Sequence, residues 1–321
     1  CKSCWLRSIY ITDALKKGIT VKLGALAFII VTALGATTVF AQTPVSHNKL
    51  AADFYEADGS TAIILLHGTL AHNRMEIIKT VAGLVSEDYG YPVITPNLSF
   101  NVPDRMGEAI RNSTQGYNTL TACDIVHRYD YFDALSELAN WVDYLEKNGF
   151  EKIIVAGHSR GGRQVSAFLA DSPSDKIVGG VLIAAGTSDP EKNLQSYLKA
   201  TGLNLRHIIQ QAKAMNPNDL IEVPKFIYCD NPKVTARTFI SEYESDVRHN
   251  TLLNLEKINM PILIIGGSED TVVPDIKNIF SEITKKDNVS LQMIDGADHF
   301  FRDLYADDIA AAIADMVESI K

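Results

Sequence analysis

Three residue types that together perform nucleophilic catalysis occur in this chain in the order serine, acid, histidine. Ser159 lies in the pentapeptide Gly-His-Ser-Arg-Gly at residues 157–161, Asp270 follows it, and His299 comes last. A serine hydroxyl becomes a nucleophile when a histidine takes its proton, and a carboxylate keeps that histidine in the correct tautomer. The order therefore indicates acyl transfer through a covalent intermediate on Ser159.

The residues around Ser159 predict a strand, a sharp turn and a helix. An apolar, β-branched run at residues 153–156 precedes the pentapeptide, and we expect a helix over residues 162–170. Glycines on both sides of the serine let the backbone turn closely without a Cβ clash. A helix that starts behind the serine directs its N–H groups at any oxyanion formed there. The pentapeptide alone is weak evidence, because glycine and serine are common in turns.

The acid and the histidine each follow a predicted strand as well. Residues 260–265 predict a buried strand that ends in a loop carrying Asp270, and residues 289–294 predict another strand shortly before His299. Ligands of open α/β sheets bind outside the carboxyl ends of the strands. We therefore expect Ser159, Asp270 and His299 to meet at one edge of a sheet.

Taken together, these segments resemble the α/β-hydrolase superfamily over residues 54–320. The matching segments are His-Gly-Thr at 67–69 after a strand at 62–66, the pentapeptide at 157–161, Gly-Ser-Glu-Asp at 267–270 with Val-Pro at 273–274, and Gly-Ala-Asp-His at 296–299. The resemblance implies an α/β fold with a mostly parallel central sheet flanked by helices. It says little about the substrate, because this fold hosts many functions.

The resemblance also implies a role for each candidate catalytic residue. Ser159 corresponds to the nucleophile and His299 to the general base. Asp270 corresponds to the third member, because its spacing from the following proline matches the acid loop of the family. Its neighbour Glu269 is the alternative acid, and Asp298 is expected to be a structural acid or loop cap.

Two backbone N–H groups should form the oxyanion hole. One belongs to Arg160, directly after the nucleophile, and the other to Thr69 in the loop after the strand at 62–66, with Leu70 as the alternative. The Arg160 guanidinium has two further interpretations. It is either a surface or network charge, or it contacts an acidic group of the substrate.

The remaining elements alternate between strand and helix until residue 186. We predict helices at 75–87, 131–147 and 303–320, strands at 92–95 and 177–185, and a long loop at 97–129. Residues 187–259 show no such alternation and contain three helical pieces. By position this insert resembles the mainly helical cap of α/β-hydrolases. A long insert at an active site favours an enclosed pocket and small or medium-sized substrates.

The N-terminal residues predict export. Residues 1–22 are basic, residues 23–34 are apolar, and small residues lead to Ala41. This pattern is typical of a secretory signal peptide, so we expect residues 1–41 to be removed and residues 42–321 to form a single periplasmic or secreted domain. The alternative is a retained membrane anchor, because the uncharged run at 23–41 is almost long enough to span a bilayer.

Charge and cysteine content restrict the partners. The chain carries a formal charge of −9, and loss of the basic leader makes the remainder more acidic. This argues against nucleic acid and anionic membrane surfaces as partners. No metal-ligand spacing or phosphate-binding glycine loop occurs in the expected domain, so we expect no cofactor and no metal. Cys123 and Cys229 form either a disulfide or two buried thiols.

The default function is hydrolysis of a carboxylic ester of small or medium size. Amides, peptides and thioesters use the same catalytic groups, so a peptidase, amidase or thioesterase remains an alternative. A second alternative is a non-catalytic binding protein on this fold, against which the presence of serine, acid and histidine argues.

Overall fold

The computed structural model describes residues 42–98, 120–171 and 174–320, and places an eight-stranded sheet at the centre of these residues. In spatial order the strands are β1 (Gln42–His47), β2 (Leu50–Tyr55), β4 (Val93–Asn97), β3 (Thr61–Leu66), β6 (Lys152–His158), β7 (Ile177–Ile183), β12 (Ile262–Gly267) and β13 (Val289–Ile294). The strands from β4 to β13 run parallel, and β1 and β2 are antiparallel additions at one edge. The predicted mostly parallel sheet is confirmed.

The parallel strands form where the sequence is continuously apolar. All six residues of β3 and all six of β12 are buried, as are all but the first residue of β6. A strand covered by helices on both faces has no solvent-facing side, so polar alternation is absent. This is why residues 62–66, 153–156 and 260–265 could be identified as strands from the sequence.

The sheet order reverses between β3 and β6. The chain passes from β3 to β4 on one side, and then from β6 through β7 and β12 to β13 on the other. Because crossover connections are right-handed, this reversal puts helices on both faces of the sheet. It also opens a crevice at the carboxyl ends of β3 and β6, where open α/β sheets bind ligands.

The helices flank this sheet. Their bounds are α1 (Glu76–Glu87), α2 (Asp133–Lys147), α3 (Arg160–Ala170), α4 (Pro190–Thr201), α5 (Leu205–Lys213), α6 (Ala236–Tyr243), α7 (Thr251–Lys257), α8 (Ile276–Ile279) and α9 (Tyr305–Ser319). Helix α1 packs against α9, and α3 packs against α2 and α7. The helices predicted at 75–87, 131–147 and 303–320 correspond to α1, α2 and α9, each with ends shifted by at most two residues.

The edge hairpin β1–β2 was not anticipated from the sequence. Its two-residue turn, Asn48 and Lys49, has φ of 49° and 64°, which fits the type I′ geometry that joins twisted strands. Half-exposed polar residues in β1 and small residues in β2 hide the strand pattern. The strand pairing of these residues is therefore a property of the fold and not of their own propensity.

The segment between β7 and β12 is richer than the helical insert predicted at 187–259. Besides α4 to α7 it holds the short strands β8 (Leu220–Ile221), β9 (Lys225–Phe226), β10 (Cys229–Asp230) and β11 (Lys233–Thr235). Strands β9 and β10 form a hairpin, and β11 pairs with β8 and with β5 (Val126–His127). Strands of two or three residues are too short to show a hydrophobic period.

The loop predicted at 97–129 needs correction at both ends. Strand β4 extends to Asn97, and residues 126–127 form β5; most of the remaining predicted loop, residues 99–119, lies outside the described residues, as does the predicted leader at 1–41. Among the residues that the structure describes, no helix has the length and apolar character needed to cross a membrane.

Candidate active site

Ser159 lies at the sharp turn between β6 and α3. Its φ of 55° and ψ of −119° lie in a backbone region that residues other than glycine rarely adopt. The Ser159 N–H donates a hydrogen bond to the carbonyl oxygen of Ile183 at 2.7 Å. Strained backbone of this kind persists only where the surrounding structure holds it, and it concentrates at functional sites.

The glycines of the pentapeptide are required by close backbone contacts. A Cβ on Gly157 would lie 2.5 Å from the carbonyl carbon of Gly161, and a Cβ on Gly161 would lie 2.5 Å from the carbonyl oxygen of His67. Real Cβ atoms essentially never show non-bonded contacts this short. The second contact also shows that the sharp turn at Ser159 packs directly on the loop after β3.

The structure brings Ser159, His299 and Asp270 into one chain of hydrogen bonds. The Ser159 hydroxyl lies 3.0 Å from His299 Nε2, and His299 Nδ1 lies 2.8 Å from Asp270 Oδ2. A carboxylate only accepts, so Nδ1 carries the proton and Nε2 is left to accept from the serine. The histidine is thus in the tautomer that a general base requires.

The acid loop selects Asp270 over Glu269. Asp270 is buried, and its second oxygen, Oδ1, accepts hydrogen bonds from the N–H groups of Val272 and Val273, both at 2.8 Å. Glu269 is exposed. Asp298 accepts from the Phe300 N–H at 2.9 Å, which fits the loop-capping role expected from the sequence.

The loop after β3 places Thr69 beside the serine. Gly68, Thr69 and Ser159 line one cavity, whereas Leu70, with a φ of 53°, is buried and does not line it. Helix α3 begins at Arg160, and the first N–H groups of a helix point out of its N-terminus. Thr69 and Arg160 therefore remain the candidate oxyanion donors.

His67 connects this loop to the end of β4. Its Nε2 accepts a hydrogen bond from the Leu98 N–H at 3.0 Å. Burial lowers the pKa of His67 to about 3, so the ring is neutral and able to accept at ordinary pH. No role for this side chain was expected from the sequence.

His158, the residue before the nucleophile, supports the histidine loop. Its Nε2 donates to the carbonyl oxygen of His299 at 2.8 Å, and the two rings lie 4.9 Å apart. Burial, followed by the proximity of His299, lowers the pKa of His158 to about 3. The neutral ring is therefore a fixed donor that holds the backbone of the candidate base.

The Arg160 guanidinium belongs to a buried network. Its Nη1 lies 2.6 Å from Glu242 Oε2 in α6, and its Cζ lies 4.3 Å from the centre of the Tyr131 ring. Burial alone would lower the pKa of Arg160, but the Glu242 carboxylate, with smaller contributions from Tyr129 and Tyr131, outweighs burial and raises the pKa. The network interpretation holds, and the side chain does not line the cavity beside Ser159.

A mostly apolar cavity of about 220 Å³ opens beside Ser159. The cavity is lined by four buried apolar residues, Ala71, Met75, Ile77 and Ile78, and by Ser159, His158, His299 and Phe300. Leu120, Tyr228 and Val272 complete it. Most of these lining residues carry no functional signal in the sequence, although Met75, Ile77 and Ile78 begin a predicted helix shortly after the loop that follows β3.

Cys123 and Cys229 form a disulfide across 106 residues of sequence. The bond joins the segment before α2 to the β9–β10 hairpin. The nearby His127 packs against the rings of Tyr129 and Phe226, as expected of a packing cluster. Within the described ranges, His, Cys, Asp and Glu form no group that could hold a metal ion.

Comparison with known proteins identifies the family and the fold of this chain. The profile of the serine aminopeptidase S33 family matches residues 121–302, more than half of the chain. No curated protein matches. Solved structures similar to this chain include Est1E from Butyrivibrio proteoclasticus, with 17% identity, 87% of this chain and 98% of that one covered, and a TM-score of 0.56.

Two further esterases share the fold. Pf2001 from Pyrococcus furiosus has 14% identity, with 87% of this chain and 90% of that one covered and a TM-score of 0.52. A thermophilic esterase from Thermogutta terrifontis has 16% identity, with coverages of 87% and 99% and a TM-score of 0.52. Identities this low establish the fold alone. With the family match, the chain belongs to the serine aminopeptidase S33 family of the α/β-hydrolase superfamily.

Proposed function

We propose that the protein is a serine carboxylic ester hydrolase that acts on uncharged, apolar esters of small or medium size. The observation that carries this proposal is the hydrogen-bonded chain from Ser159 through His299 to Asp270, placed beside a mostly apolar cavity. The chain of hydrogen bonds supplies an activated nucleophile. The cavity supplies an environment for the apolar part of a substrate.

In the proposed first step, His299 takes the proton of Ser159 as the serine oxygen attacks the ester carbonyl. The Thr69 and Arg160 N–H groups stabilise the negative charge on the carbonyl oxygen. His299 then returns the proton to the departing alcohol, and the acyl group remains on Ser159. Asp270 stabilises the imidazolium that forms between the two proton transfers.

In the proposed second step, water enters the same position as the alcohol that has left. His299 takes a proton from this water, whose oxygen attacks the acyl-enzyme carbonyl. The same two N–H groups stabilise the second oxyanion. Collapse of this intermediate releases the acid, and the proton returns from His299 to Ser159.

The cavity favours an ester over a peptide with a free amino terminus. An aminopeptidase needs an anionic group to pair with the substrate ammonium, and the described residues that line the cavity carry no carboxylate. Burying an unpaired ammonium in apolar surroundings is costly. Esterases also occur among the structures that share this fold. Aminopeptidase activity is the competing function, because the matching family is named after a serine aminopeptidase.

The test is active-site labelling followed by substrate comparison. The purified protein, expressed from the full sequence, is treated with a fluorophosphonate probe beside its Ser159→Ala variant. We expect labelling of Ser159 and rapid hydrolysis of para-nitrophenyl butanoate. Absence of labelling in a folded protein would favour the binding-protein alternative. Faster cleavage of amino-acid para-nitroanilides than of esters would favour the aminopeptidase.

We also propose that the protein is exported and cleaved after Ala41. The Cys123–Cys229 disulfide supports this, because structural disulfides persist mainly in oxidising compartments. N-terminal sequencing of the protein recovered from a bacterial host should begin at Gln42. Recovery of the uncut chain in the membrane fraction would favour the anchor.

A further inference from the structure

The turn of the β9–β10 hairpin contains a strained residue. Phe226 pairs with Cys229, so Ile227 and Tyr228 form a two-residue turn. Ile227 has a φ of 56°, and a β-branched side chain is a genuine outlier in this region. Such strain survives only where neighbouring contacts enforce it, and it marks segments whose exact position serves a function.

Two contacts hold this turn. Cys229, which follows Tyr228, is fully buried and bonded to Cys123. The Ile227 N–H donates to the hydroxyl oxygen of Tyr243 at 2.9 Å. A covalent bond on one side and a hydrogen bond to a partly buried tyrosine on the other thus offset the cost of the strained backbone and fix the position of Tyr228.

The other end of the disulfide is tied to the catalytic loop. Two residues before Cys123, the Thr121 N–H donates to the carbonyl oxygen of Leu70 at 2.6 Å. Leu70 directly follows Thr69, a candidate oxyanion donor. The disulfide therefore links the loop beside Ser159 with the turn that carries Tyr228.

One large apolar side chain from each linked segment, together with Val272 of the acid loop, lines the exposed part of the cavity. Leu120, Tyr228 and Val272 line it and are 39%, 61% and 45% exposed. None of the three is charged. Exposed apolar side chains that are grouped around one opening indicate a binding surface. Continuity with the cavity beside Ser159 identifies what binds there, namely the part of a substrate that extends out of the cavity.

We propose that Leu120, Tyr228 and Val272 form a mouth subsite that binds the apolar chain of long esters, and that the Cys123–Cys229 disulfide sets its geometry. Tyr228 is the main specificity-determining residue, because it offers the largest apolar surface and sits on the strained, covalently held turn. This proposal rests on the proposed ester hydrolase function. Short esters fit within the cavity and do not reach the subsite.

The test is a series of para-nitrophenyl esters with acetyl, butanoyl, octanoyl and decanoyl groups, assayed below their micelle concentrations. Loss of an aromatic contact in Tyr228→Ala should raise KM for the decanoyl ester about five- to tenfold. The rise in KM should be smaller for the acetyl ester than for the decanoyl ester, and any change in kcat should be similar for both, because the reacting groups are untouched. Leu198→Ala, an exposed apolar residue of α4 that does not line the cavity, is the matched control.

The disulfide is tested with the Cys123→Ser, Cys229→Ser double variant. Release of the turn should raise KM for the decanoyl ester about threefold or more, with a smaller change for the acetyl ester. Circular dichroism and thermal unfolding verify that the variant is folded at the assay temperature. If it is not, Tyr228→Ala alone decides.

If the dependence of KM on acyl chain length is unchanged in Tyr228→Ala, the mouth subsite is rejected. Faster turnover of the decanoyl ester would also reject it, because Tyr228 would then obstruct the chain of the substrate. Fluorophosphonate labelling separates this failure from failure of the proposed function. Labelling of Ser159 with an unchanged profile rejects the mouth subsite only. Absence of both labelling and ester hydrolysis in the wild-type protein rejects both proposals.

Discussion

The Arg160 guanidinium, one residue from the candidate nucleophile, forms a buried ion pair with Glu242 of α6, at 2.6 Å between Nη1 and Oε2. The two side chains are 1% and 11% exposed. The backbone of Arg160 belongs to the nucleophile turn, and α6 belongs to the segment inserted between β7 and β12. This ion pair is therefore a direct electrostatic connection between the insert and the turn that carries Ser159.

Removal of the Glu242 charge should strongly destabilise the protein. Glu242→Gln removes the carboxylate that faces the buried Arg160 cation, and breaking a buried pair in this way costs about 3–5 kcal/mol. The measurement is the free energy of unfolding in urea. The control is Glu244→Gln, because the ion pair of Glu244 with Lys213 is largely exposed and should contribute at most ~1 kcal/mol. Equal effects of the two substitutions would contradict the prediction.

The same ion pair should lose its contribution in acid. Burial alone would raise the pKa of Glu242, but the charges of Arg160 and Arg163, with smaller contributions from His249 and from the hydrogen bond of Arg160, together outweigh burial and lower the pKa. A carboxyl with a lowered pKa in the folded state stabilises the fold above its ordinary pKa, and this stabilisation is lost as the pH falls through the folded pKa. Unfolding measured from pH 7 downward should show a smaller acid dependence in Glu242→Gln than in the wild type.

Replacement of His127 should reduce a second titration effect, which acts on stability in the same direction as that of Glu242. Burial and then the Arg160 charge lower the pKa of His127 to about 4, so between pH 6.5 and 4 the unfolded chain binds a proton that the folded protein does not. Stability should therefore fall over this range as the pH decreases. Neither ring nitrogen has a hydrogen-bond partner within the described part of the chain.

His127→Phe should accordingly retain or increase the free energy of unfolding at pH 7, because the ring packing is kept and no hydrogen bond is lost. The slope of the free energy of unfolding against pH, between pH 6.5 and 4, should decrease by up to about 1.4 kcal/mol per pH unit. An unaltered slope in His127→Phe would show that another group titrates.

Asp270 should be far more important for activity than its neighbour Glu269. Asp270→Asn removes the acceptor for His299 Nδ1–H and favours the wrong tautomer, which in a related arrangement costs about 10⁴ in kcat. Glu269→Gln should change kcat by less than about threefold, since the side chain is exposed. Steady-state kinetics on para-nitrophenyl butanoate distinguish the two. Similar losses in both variants would exclude a unique role for Asp270.

His158 is expected to act as a positioning residue. His158→Phe removes the donor to the His299 carbonyl oxygen, and the resulting misalignment of the base should lower kcat about tenfold while KM for a short ester stays constant. His158→Gln keeps an N–H donor and should restore most of the activity. A general loss of structure would instead lower the unfolding midpoint of both variants and would not be rescued.

The candidate catalytic residues were accessible from the sequence because their signals are local. The turn at Ser159 needs glycine at 157 because of a close contact with Gly161 in the same turn, and fully covered parallel strands need continuous apolar runs. Strand ends in a parallel sheet meet at one edge, so order along the chain was enough to bring Ser159, Asp270 and His299 together. The contact of Asp270 rather than Glu269 with the histidine then depended on which side chain the acid loop buries.

Contacts between distant segments were decided only by the tertiary structure. Cys123 and Cys229 are 106 residues apart, and one cysteine pair at such a spacing does not reveal whether the sulfurs meet. The same holds for the ion pair of Arg160 with Glu242, and for Leu120 and Tyr228, which line one cavity although they lie far apart along the chain. Short strands such as β9 and β10 have no period of their own, because their pairing partners and not their composition make them strands.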